Sequence, residues 1–246
     1  MRDRAILITG AARRIGAAIA RRLHADGLSI VLHCNRSRAE AEALRGELEA
    51  RRPGSVAIVQ GDLLDVASPA RIVEEAAAAF GALDGLVNNA SSFYATPFGS
   101  IGPREWEDLV GTNLRAPLLL AQAAATRLRE RRGAIVNIVD IHAERPLPGF
   151  TVYSTAKAGL AGLTRALALE LAPEVRVNGV APGAILWPEA GRHFDPGERD
   201  RVLEQTPLAR IGDPDDVAGA VRYLLLDAPF VTGQILAVDG GRGLRL

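Results

Sequence analysis

The sequence of 246 residues predicts an α/β fold with one doubly wound, seven-stranded parallel sheet and helices on both of its faces. Short apolar or β-branched segments alternate with longer, Ala-rich amphipathic segments along the whole chain. Strands that are almost continuously apolar are typical of parallel sheets buried on both faces. No repeat, low-complexity segment or linker interrupts this alternation, so we expect residues 1–246 to form a single domain.

The predicted elements can be placed from hydrophobic periodicity and turn residues. Strands are expected at residues 5–9, 29–33, 56–61, 85–88, 134–139, 176–181 and 235–238. Helices are expected at residues 16–26, 39–51, 69–80, 104–131, 152–171 and 215–226. The Pro- and Gly-rich stretch 182–207 is predicted to be irregular, and loops of that length in compact folds are usually functional. We therefore expect a substrate loop at about 183–210.

Composition and charge argue against several classes of protein. The chain has 29 Lys and Arg residues and 29 Asp and Glu residues, which gives no electrostatic argument for nucleic acid or an anionic membrane as a partner. Cys34 is the only cysteine, so we expect neither an intramolecular disulfide nor a thiolate metal site. The N-terminal residues do not predict a signal peptide, and no apolar segment is long enough to span a membrane. These features predict a cytoplasmic protein.

The first strand leads directly into TGAARRIG, residues 9–16, and then into a helix. In this arrangement, backbone N–H groups and a helix N-terminus face the pyrophosphate of a dinucleotide, although a turn with a purely structural role is the alternative. Gly10 permits the tight turn, and Gly16 lets the helix approach the sheet. Arg14 replaces a second glycine, so its guanidinium can reach phosphate or substrate. The predicted cofactor contacts in this Rossmann-type turn are Gly10, Arg13, Arg14 and Ile15.

The end of the second strand indicates which nicotinamide cofactor is used. The segment HCNRS, residues 33–37, has no acid that could accept hydrogen bonds from the ribose 2′-OH. Arg36 offers a planar fork for a 2′-phosphate and Ser37 offers a hydroxyl, so both favour NADPH, as does Arg13. A solvated surface arginine and an ordinary helix N-cap are the alternatives. The predicted cofactor contacts in this segment are His33, Asn35, Arg36 and Ser37.

Polar and small residues also follow the remaining strands, at the edge where doubly wound sheets bind ligands. Asp62 could accept a hydrogen bond from the adenine amino group, or it could cap a turn. Residues 88–90 could let the backbone approach the adenosine ribose. The further predicted cofactor contacts are Asp62, Leu63, Asn89, Ala90, Pro182 and Gly183.

Tyr153 and Lys157, in the motif YSTAK, share one helix face because they lie four residues apart. A nearby ammonium stabilises a phenolate, so we expect the pKa of Tyr153 to be depressed and its hydroxyl to exchange protons near neutral pH. Asp140 precedes the tyrosine by thirteen positions. Taken alone, a Tyr-x-x-x-Lys pair could be an exposed helical pair, but here the nucleotide-type turn lies upstream.

The chain resembles the short-chain dehydrogenase/reductase family over essentially its whole length, through TGAARRIG, NNA at residues 88–90, Asn113, YSTAK and PG at residues 182–183. The resemblance implies that Tyr153 donates a proton and that Lys157 binds the ribose hydroxyls and tunes the tyrosine. It further implies that Asn113 holds a water in a proton relay, that the protein is a homotetramer, and that no metal is needed. A serine usually occupies the position of Asp140.

Asp140, Arg14 and the segments HCNRS and NNASSFY resemble the pteridine reductase branch of that family. This resemblance implies that Arg14 and Phe93 flank a pterin and that Ser91 bonds to it, although Phe93 could instead be a core residue. A carboxylate at position 140 can accept from ring N–H or amino groups, and a protonated one can donate. The predicted substrate contacts are Arg14, Ser91, Phe93, Asp140 and Tyr153.

The leading hypothesis is NADPH-dependent reduction of pterins, such as dihydropterin, dihydrofolate or biopterin, with Tyr153 and Asp140 assisting protonation. One alternative is an NADPH-dependent carbonyl reductase, such as a 3-oxoacyl-thioester reductase, in which Asp140 is incidental. Another is a non-catalytic NADPH-binding regulator that has kept the fold. The intact set of Tyr153, Lys157 and Asn113 argues against the regulator.

Overall fold

The computed structural model describes residues 4–187 and 196–246. Its strands are β1 Ala5–Ile8, β2 Ser29–Cys34, β3 Val56–Gln60, β4 Gly85–Asn88, β5 Ala134–Ile138, β6 Arg176–Pro182 and β7 Ile235–Val238. All paired strands are parallel, in the order β3-β2-β1-β4-β5-β6-β7. The order reverses between β1 and β4, where doubly wound sheets bind ligands at the carboxyl ends of their strands. The predicted seven-stranded parallel sheet is confirmed.

The helices are α1 Arg14–Ala25, α2 Arg38–Glu49, α3 Ser68–Phe80, α4 Pro103–Val110, α5 Ala116–Arg131, α6 Thr151–Glu170, α7 Pro196–Glu204 and α8 Pro214–Arg222. Successive side chains of a strand point to opposite faces of the sheet. Ile6 and Ile8 of β1 accordingly belong to the core under α1 and α8, and Leu7 belongs to the core under α3 and α5. Helices therefore cover both faces, as predicted. Within the described ranges, no helix is both long and apolar enough to cross a membrane.

The predicted helix at 104–131 is wrong in one respect, because a π-helical turn, Gly111–Arg115, separates α4 from α5. Pro117 lies in the first turn of α5 and has no N–H with which to bond back to the carbonyl of Asn113. The regular α-helical pattern therefore cannot continue through this point, and such π turns are frequent at functional sites. The interruption carries Asn113 into the interior below the loop that follows β4.

The prediction that 182–207 is irregular is also wrong in part. Pro182 still belongs to β6, and Pro196–Glu204 form α7, with the proline in the first helical turn where its missing N–H costs little. Among the described side chains of α7, that of Val202 is buried in the core. Residues 188–195 of the predicted substrate loop lie outside the described residues.

Candidate active site

The turn after β1 packs backbone against backbone on the loop after β4. Gly10 has a φ of +60°, and a Cβ there would lie 2.9 Å from the Cα of Ala90. A Cβ on Gly16 would lie 2.3 Å from the Gly10 carbonyl oxygen and 2.6 Å from the Asn89 side-chain nitrogen. Both glycines are therefore required by a close approach, which keeps the N-terminus of α1 at the sheet edge.

Asn89 and Thr9 hold this turn in place by four hydrogen bonds. The Asn89 Nδ2 donates to the carbonyls of Thr9 at 2.9 Å and of Gly10 at 3.0 Å. The Thr9 hydroxyl accepts from the backbone N–H groups of Asn89 at 2.9 Å and of Ala90 at 3.0 Å. The side chain of Asn89, predicted as a cofactor contact, thus acts on the turn itself. Sequence reasoning missed Thr9, although a hydroxyl residue between an apolar strand and Gly10 was a usable signal.

Arg14 is the first residue of α1 and has a φ of +53°, a left-handed conformation that suits glycine. For a residue with a side chain this conformation costs about 1–2 kcal/mol, and such strain tends to persist at functional sites. Arg14 is exposed at the sheet edge, next to the half-buried Ile15. The neighbouring Arg13 is also exposed and lies 3.7 Å from the carboxylate of Glu40.

The residues after β2 present their polar groups to solvent. Asn35 and Arg36 are exposed and Ser37 is half-buried. Ser37 is the N-cap residue of α2, yet its hydroxyl makes no capping hydrogen bond. Arg36 makes no hydrogen bond or ion pair within residues 4–187 and 196–246. The alternative of an ordinary N-cap at Ser37 is therefore not realised, and both side chains are available to a phosphate.

His33 and Asp62, both predicted as cofactor contacts, make hydrogen bonds to the backbone in the structure. The His33 ring is buried, with Nδ1 accepting from the Gly10 N–H at 3.3 Å and the other ring nitrogen 3.1 Å from the Gly61 carbonyl. Both ring nitrogens are thereby bonded to backbone. Asp62 is exposed, and one of its oxygens accepts from the backbone N–H of Leu64 at 3.0 Å, so the turn-capping role is present. Leu63 is buried.

Three residues predicted to be catalytic meet where β5 ends against α6. The Tyr153 hydroxyl donates to one oxygen of Asp140 at 2.6 Å, and the other oxygen accepts from the backbone N–H of His142 at 2.8 Å. Lys157 donates to the carbonyl of Ile138 at 2.8 Å, and its ammonium lies 5.7 Å from the centroid of the tyrosine ring. Tyr153 and Lys157 are buried and Asp140 is half-buried. The site therefore joins a phenol, a carboxylate and an ammonium.

The expectation of a depressed pKa for Tyr153 is wrong. Burial raises the pKa of Tyr153 well above its usual value, and the negative charge of Asp140 and the hydrogen bond to it raise it further. A serine at position 140 would carry no such charge. Burial lowers the pKa of Lys157 to about 8, against the opposing attraction of Asp140. The tyrosine thus keeps its proton and shares it with the carboxylate.

Ser91 and Asn113 lie next to this group. The Ser91 hydroxyl donates to the Asn113 side-chain oxygen at 2.6 Å. Interaction with the Ser91 side chain lowers the pKa of Tyr153, against the larger raising effects of burial and Asp140. The Asn113 amide donates to the carbonyls of Ser92 and Leu109, each at 2.9 Å. The Asn113 side chain therefore positions the loop that carries Ser91 and does not face open solvent.

Phe93 lies beside the tyrosine but is not freely available to a ligand. Its ring stacks on Phe150 with centroids 4.7 Å apart and planes 14° from parallel. Its ring also meets the Tyr153 ring at 4.8 Å and 76°. One face of Phe93 is thus covered, so a flat substrate must use the other face or displace Phe150.

The loop after β6 closes the site on the side of β7. The Gly183 N–H donates to the Val238 carbonyl at 3.0 Å, and a Cβ on this glycine would lie 2.7 Å from the Asp239 Cβ. Pro182 and Gly183 therefore lie at the same sheet edge as the turn after β1. Further along, the Arg199 guanidinium stands 5.2 Å above the Trp187 ring, a cation–π contact between the loop and α7.

The chain is similar to several known proteins over almost its whole length. Residues 10–242 match the model of a family described as Enoyl-(Acyl carrier protein) reductase. Pteridine reductase 1 of Leishmania tarentolae is 39% identical over 97% of this chain and 96% of its own length. The 3-oxoacyl-(acyl-carrier-protein) reductase FabG of Staphylococcus aureus is 37% identical over 96% of both chains.

Among solved structures, a blue fluorescent protein from a metagenomic library, in complex with NADPH, superposes with a TM-score of 0.90. It is 36% identical in sequence, and the match covers 97% of each chain. These matches extend along almost the whole length of the chain. The chain belongs to the short-chain dehydrogenase/reductase family of oxidoreductases.

Proposed function

We propose that this protein reduces pterins with NADPH. The observation that carries the proposal is the 2.6 Å hydrogen bond from the Tyr153 hydroxyl to the Asp140 carboxylate. A carbonyl reductase needs a neutral donor for an oxygen, whereas reduction of a ring C=N needs a proton delivered to nitrogen and acceptors for neighbouring N–H groups. The likeness to a pteridine reductase supports this choice, and the equal likeness to a 3-oxoacyl reductase keeps a carbonyl substrate as the second candidate.

NADPH fits the sheet edge for reasons of space and charge. The close approaches at Gly10 and Gly16 leave backbone N–H groups facing outward at the start of α1, where a pyrophosphate binds. Among the residues that the structure describes, Arg36 and Ser37 have no side-chain partner that would compete with a 2′-phosphate. When bound, the nicotinamide would supply the hydride. Lys157, buried beside Tyr153, would bind the adjoining ribose hydroxyls.

The Tyr153–Asp140 pair determines when a proton can be delivered. If Tyr153 gave up its proton while Asp140 was ionised, a phenolate would lie 2.6 Å from a carboxylate, which is strongly unfavourable. The competent donor is therefore the pair with one further proton, held on Asp140. Transfer of one proton to the substrate nitrogen would then leave a neutral tyrosine hydrogen-bonded to an ionised carboxylate.

The proposal is tested by offering purified protein dihydrobiopterin, dihydrofolate and an acetoacetyl thioester in parallel and measuring NADPH consumption. Turnover of the pterins without turnover of the thioester is expected. Turnover of the thioester alone would make the protein a carbonyl reductase. NADPH binding without turnover of any substrate would favour the non-catalytic regulator.

The strain at Arg14 provides a first prediction. Arg14→Gly should leave the free energy of unfolding unchanged or raise it by up to about 1 kcal/mol, because glycine adopts the positive φ without cost but gains freedom in the unfolded chain. The same change should lower kcat/KM for a pterin at least roughly tenfold, because it removes the guanidinium beside the substrate. Urea unfolding and steady-state kinetics measure the two effects.

Arg132→Gly is the matched control for this prediction. Arg132 is exposed and has a φ of +48° at the C-terminus of α5, at the opposite end of the strands from the turn after β1. Its replacement should affect stability in the same direction and leave pterin kinetics unchanged. Equal kinetics for Arg14→Gly and Arg132→Gly would remove Arg14 from the substrate site.

We also propose a cytoplasmic homotetramer, in line with the family resemblance. Large apolar side chains are exposed on two surfaces that could pair between copies, with Trp106 and Leu118 on α4 and α5 and Leu236 on the edge strand β7. The buried free thiol of Cys34 agrees with a reducing compartment. Sedimentation equilibrium of the purified chain tests the assembly, and a monomer would contradict it.

A further inference from the structure

The imidazole of His33 joins the ends of three adjacent strands. His33 lies on β2, which stands between β1 and β3 in the sheet. Its Nδ1 accepts from the N–H of Gly10, directly after β1, at 3.3 Å. With Nδ1 as acceptor, the neutral ring carries its hydrogen on Nε2, which donates to the carbonyl of Gly61, directly after β3, at 3.1 Å. The His33 side chain thus connects the loop after β1 with the loop after β3, which are far apart in the sequence.

Backbone hydrogen bonds also connect the ends of these three strands, so the His33 imidazole has only a short distance to span. The Ala11 N–H donates to the His33 carbonyl at 3.0 Å, and the Gly61 N–H donates to the Cys34 carbonyl at 3.1 Å. The ring fills the interior between these contacts and is only 1% exposed. A buried ring with both nitrogens bonded holds its neighbours at fixed distances.

The His33 imidazole is suited to keeping the same two hydrogen bonds and not to proton transfer. The pKa of His33 is lowered to about 4, chiefly by burial and to a smaller extent by the charge of Arg71, against the opposing effects of the Gly61 hydrogen bond and of Asp62. The imidazole therefore stays neutral at neutral pH, and Nδ1 remains an acceptor. Protonation would turn an N–H toward the N–H of Gly10 and break that contact.

We propose that His33 is a positioning residue that sets the distance between the pyrophosphate turn and the loops that receive the 2′-phosphate and the adenine. The turn at Gly10 precedes Arg14, β2 leads into Arg36, and Gly61 precedes Asp62. The side chain reaches the cofactor through these backbone contacts, which replaces the direct contact expected from the sequence. The inference rests on the proposed use of NADPH.

Three substitutions separate the two ring contacts. His33→Asn places an amide oxygen where Nδ1 stands, so it can accept from Gly10 but cannot reach Gly61. His33→Gln can reach the Gly61 carbonyl but leaves the Gly10 N–H without its acceptor. His33→Leu has a similar volume and makes neither bond. The dissociation constants of NADPH and NADH, the melting temperature, and kcat at saturating NADPH are measured for each.

We expect His33→Leu to weaken NADPH binding roughly five- to thirtyfold, because a buried N–H loses its partner where the phosphates bind. His33→Asn should recover most of this affinity and His33→Gln little of it, even if both melt at the same temperature. At saturating NADPH, kcat should be close to that of the unchanged protein in all three. A role confined to stability would instead make affinity follow melting temperature across the series.

Arg36→Ala distinguishes this inference from the proposed function. It should weaken NADPH far more than NADH, because it removes the fork assigned to the 2′-phosphate. Equal losses for both cofactors would overturn the cofactor assignment itself. If Arg36→Ala shows the selective loss while His33→Leu binds NADPH as tightly as the unchanged protein, or His33→Asn binds no better than His33→Leu, only the role given to His33 is overturned.

Discussion

Replacing Asp140 with serine is expected to lower kcat/KM for a pterin by about 10²–10⁴-fold, the range for loss of a positioned acid–base group. NADPH affinity should not change, because Asp140 bonds to Tyr153 and to the His142 N–H and lies apart from the turn that receives the phosphates. A serine hydroxyl can still meet the Tyr153 hydroxyl, but its own proton is far too weakly acidic to replace the one that a protonated Asp140 would supply. Steady-state kinetics and NADPH titration measure the two quantities.

The same substitution should act differently on a carbonyl substrate. Without the carboxylate charge the pKa of Tyr153 should fall, because that charge and its hydrogen bond are two of the causes that raise it. Turnover of an acetoacetyl thioester should therefore be kept or increased by Asp140→Ser. A collapse of NADPH affinity in this variant would mean that Asp140 serves the cofactor site instead.

Asp140→Asn is the matched control, because its amide oxygen still accepts a hydrogen bond but holds no extra proton. It should be as slow with pterins as Asp140→Ser. Steady-state kinetics with a pterin compare the two variants. Full activity of Asp140→Asn would show that proton carriage by Asp140 is unnecessary.

Hydrophobic patterning was enough to predict the sheet because its strands are mostly apolar and those between the edge strands β3 and β7 are largely buried. The bounds of β4 and β7 agree with prediction, and the other strands differ by one residue at their C-terminal ends. The predicted helix at 215–226 also gives way to a π-helical turn, Tyr223–Asp227. The errors at 104–131 and 182–207 arose where local signals were weak or misjudged. Pro117 indicated the break between α4 and α5. Among the described side chains of α7, only Val202 is a buried apolar one, so the period of this helix was hard to detect.

The proximity of the residues predicted to be catalytic could be expected from the sequence, but their electrostatics could not. Tyr153 and Lys157 lie on one helix, so their proximity follows from spacing alone, whereas the orientation of Asp140 toward the hydroxyl depends on how β5 meets α6. The roles of Asn89 and His33 depend on partners 80 and 23 residues away along the chain. Local patterns carry no information about such distances, so the hydrogen bonds that these two side chains make to the backbone could not be predicted from the sequence.

The sheet edge should tolerate no side chain at Gly16. Gly16→Ala would bring a Cβ to 2.3 Å from the Gly10 carbonyl oxygen and 2.9 Å from the Ala11 Cα, both of them backbone atoms that cannot rotate away. It would also meet the Asn89 side chain at 2.6 Å, which breaks the contact that holds the turn. We expect a loss of about 1–3 kcal/mol in the free energy of unfolding and at least a roughly tenfold weaker affinity for NADPH.

Gly46→Ala is the control, because Gly46 lies in α2 with no atom within 4 Å of an added Cβ. Alanine there should raise the free energy of unfolding by about 0.5–1 kcal/mol through its higher helix propensity and leave NADPH affinity unchanged. Urea unfolding and NADPH titration of both variants give the comparison. If Gly16→Ala matched the unchanged protein in both measurements, the turn after β1 and α1 could separate freely. The close approach would then not be what shapes the phosphate site.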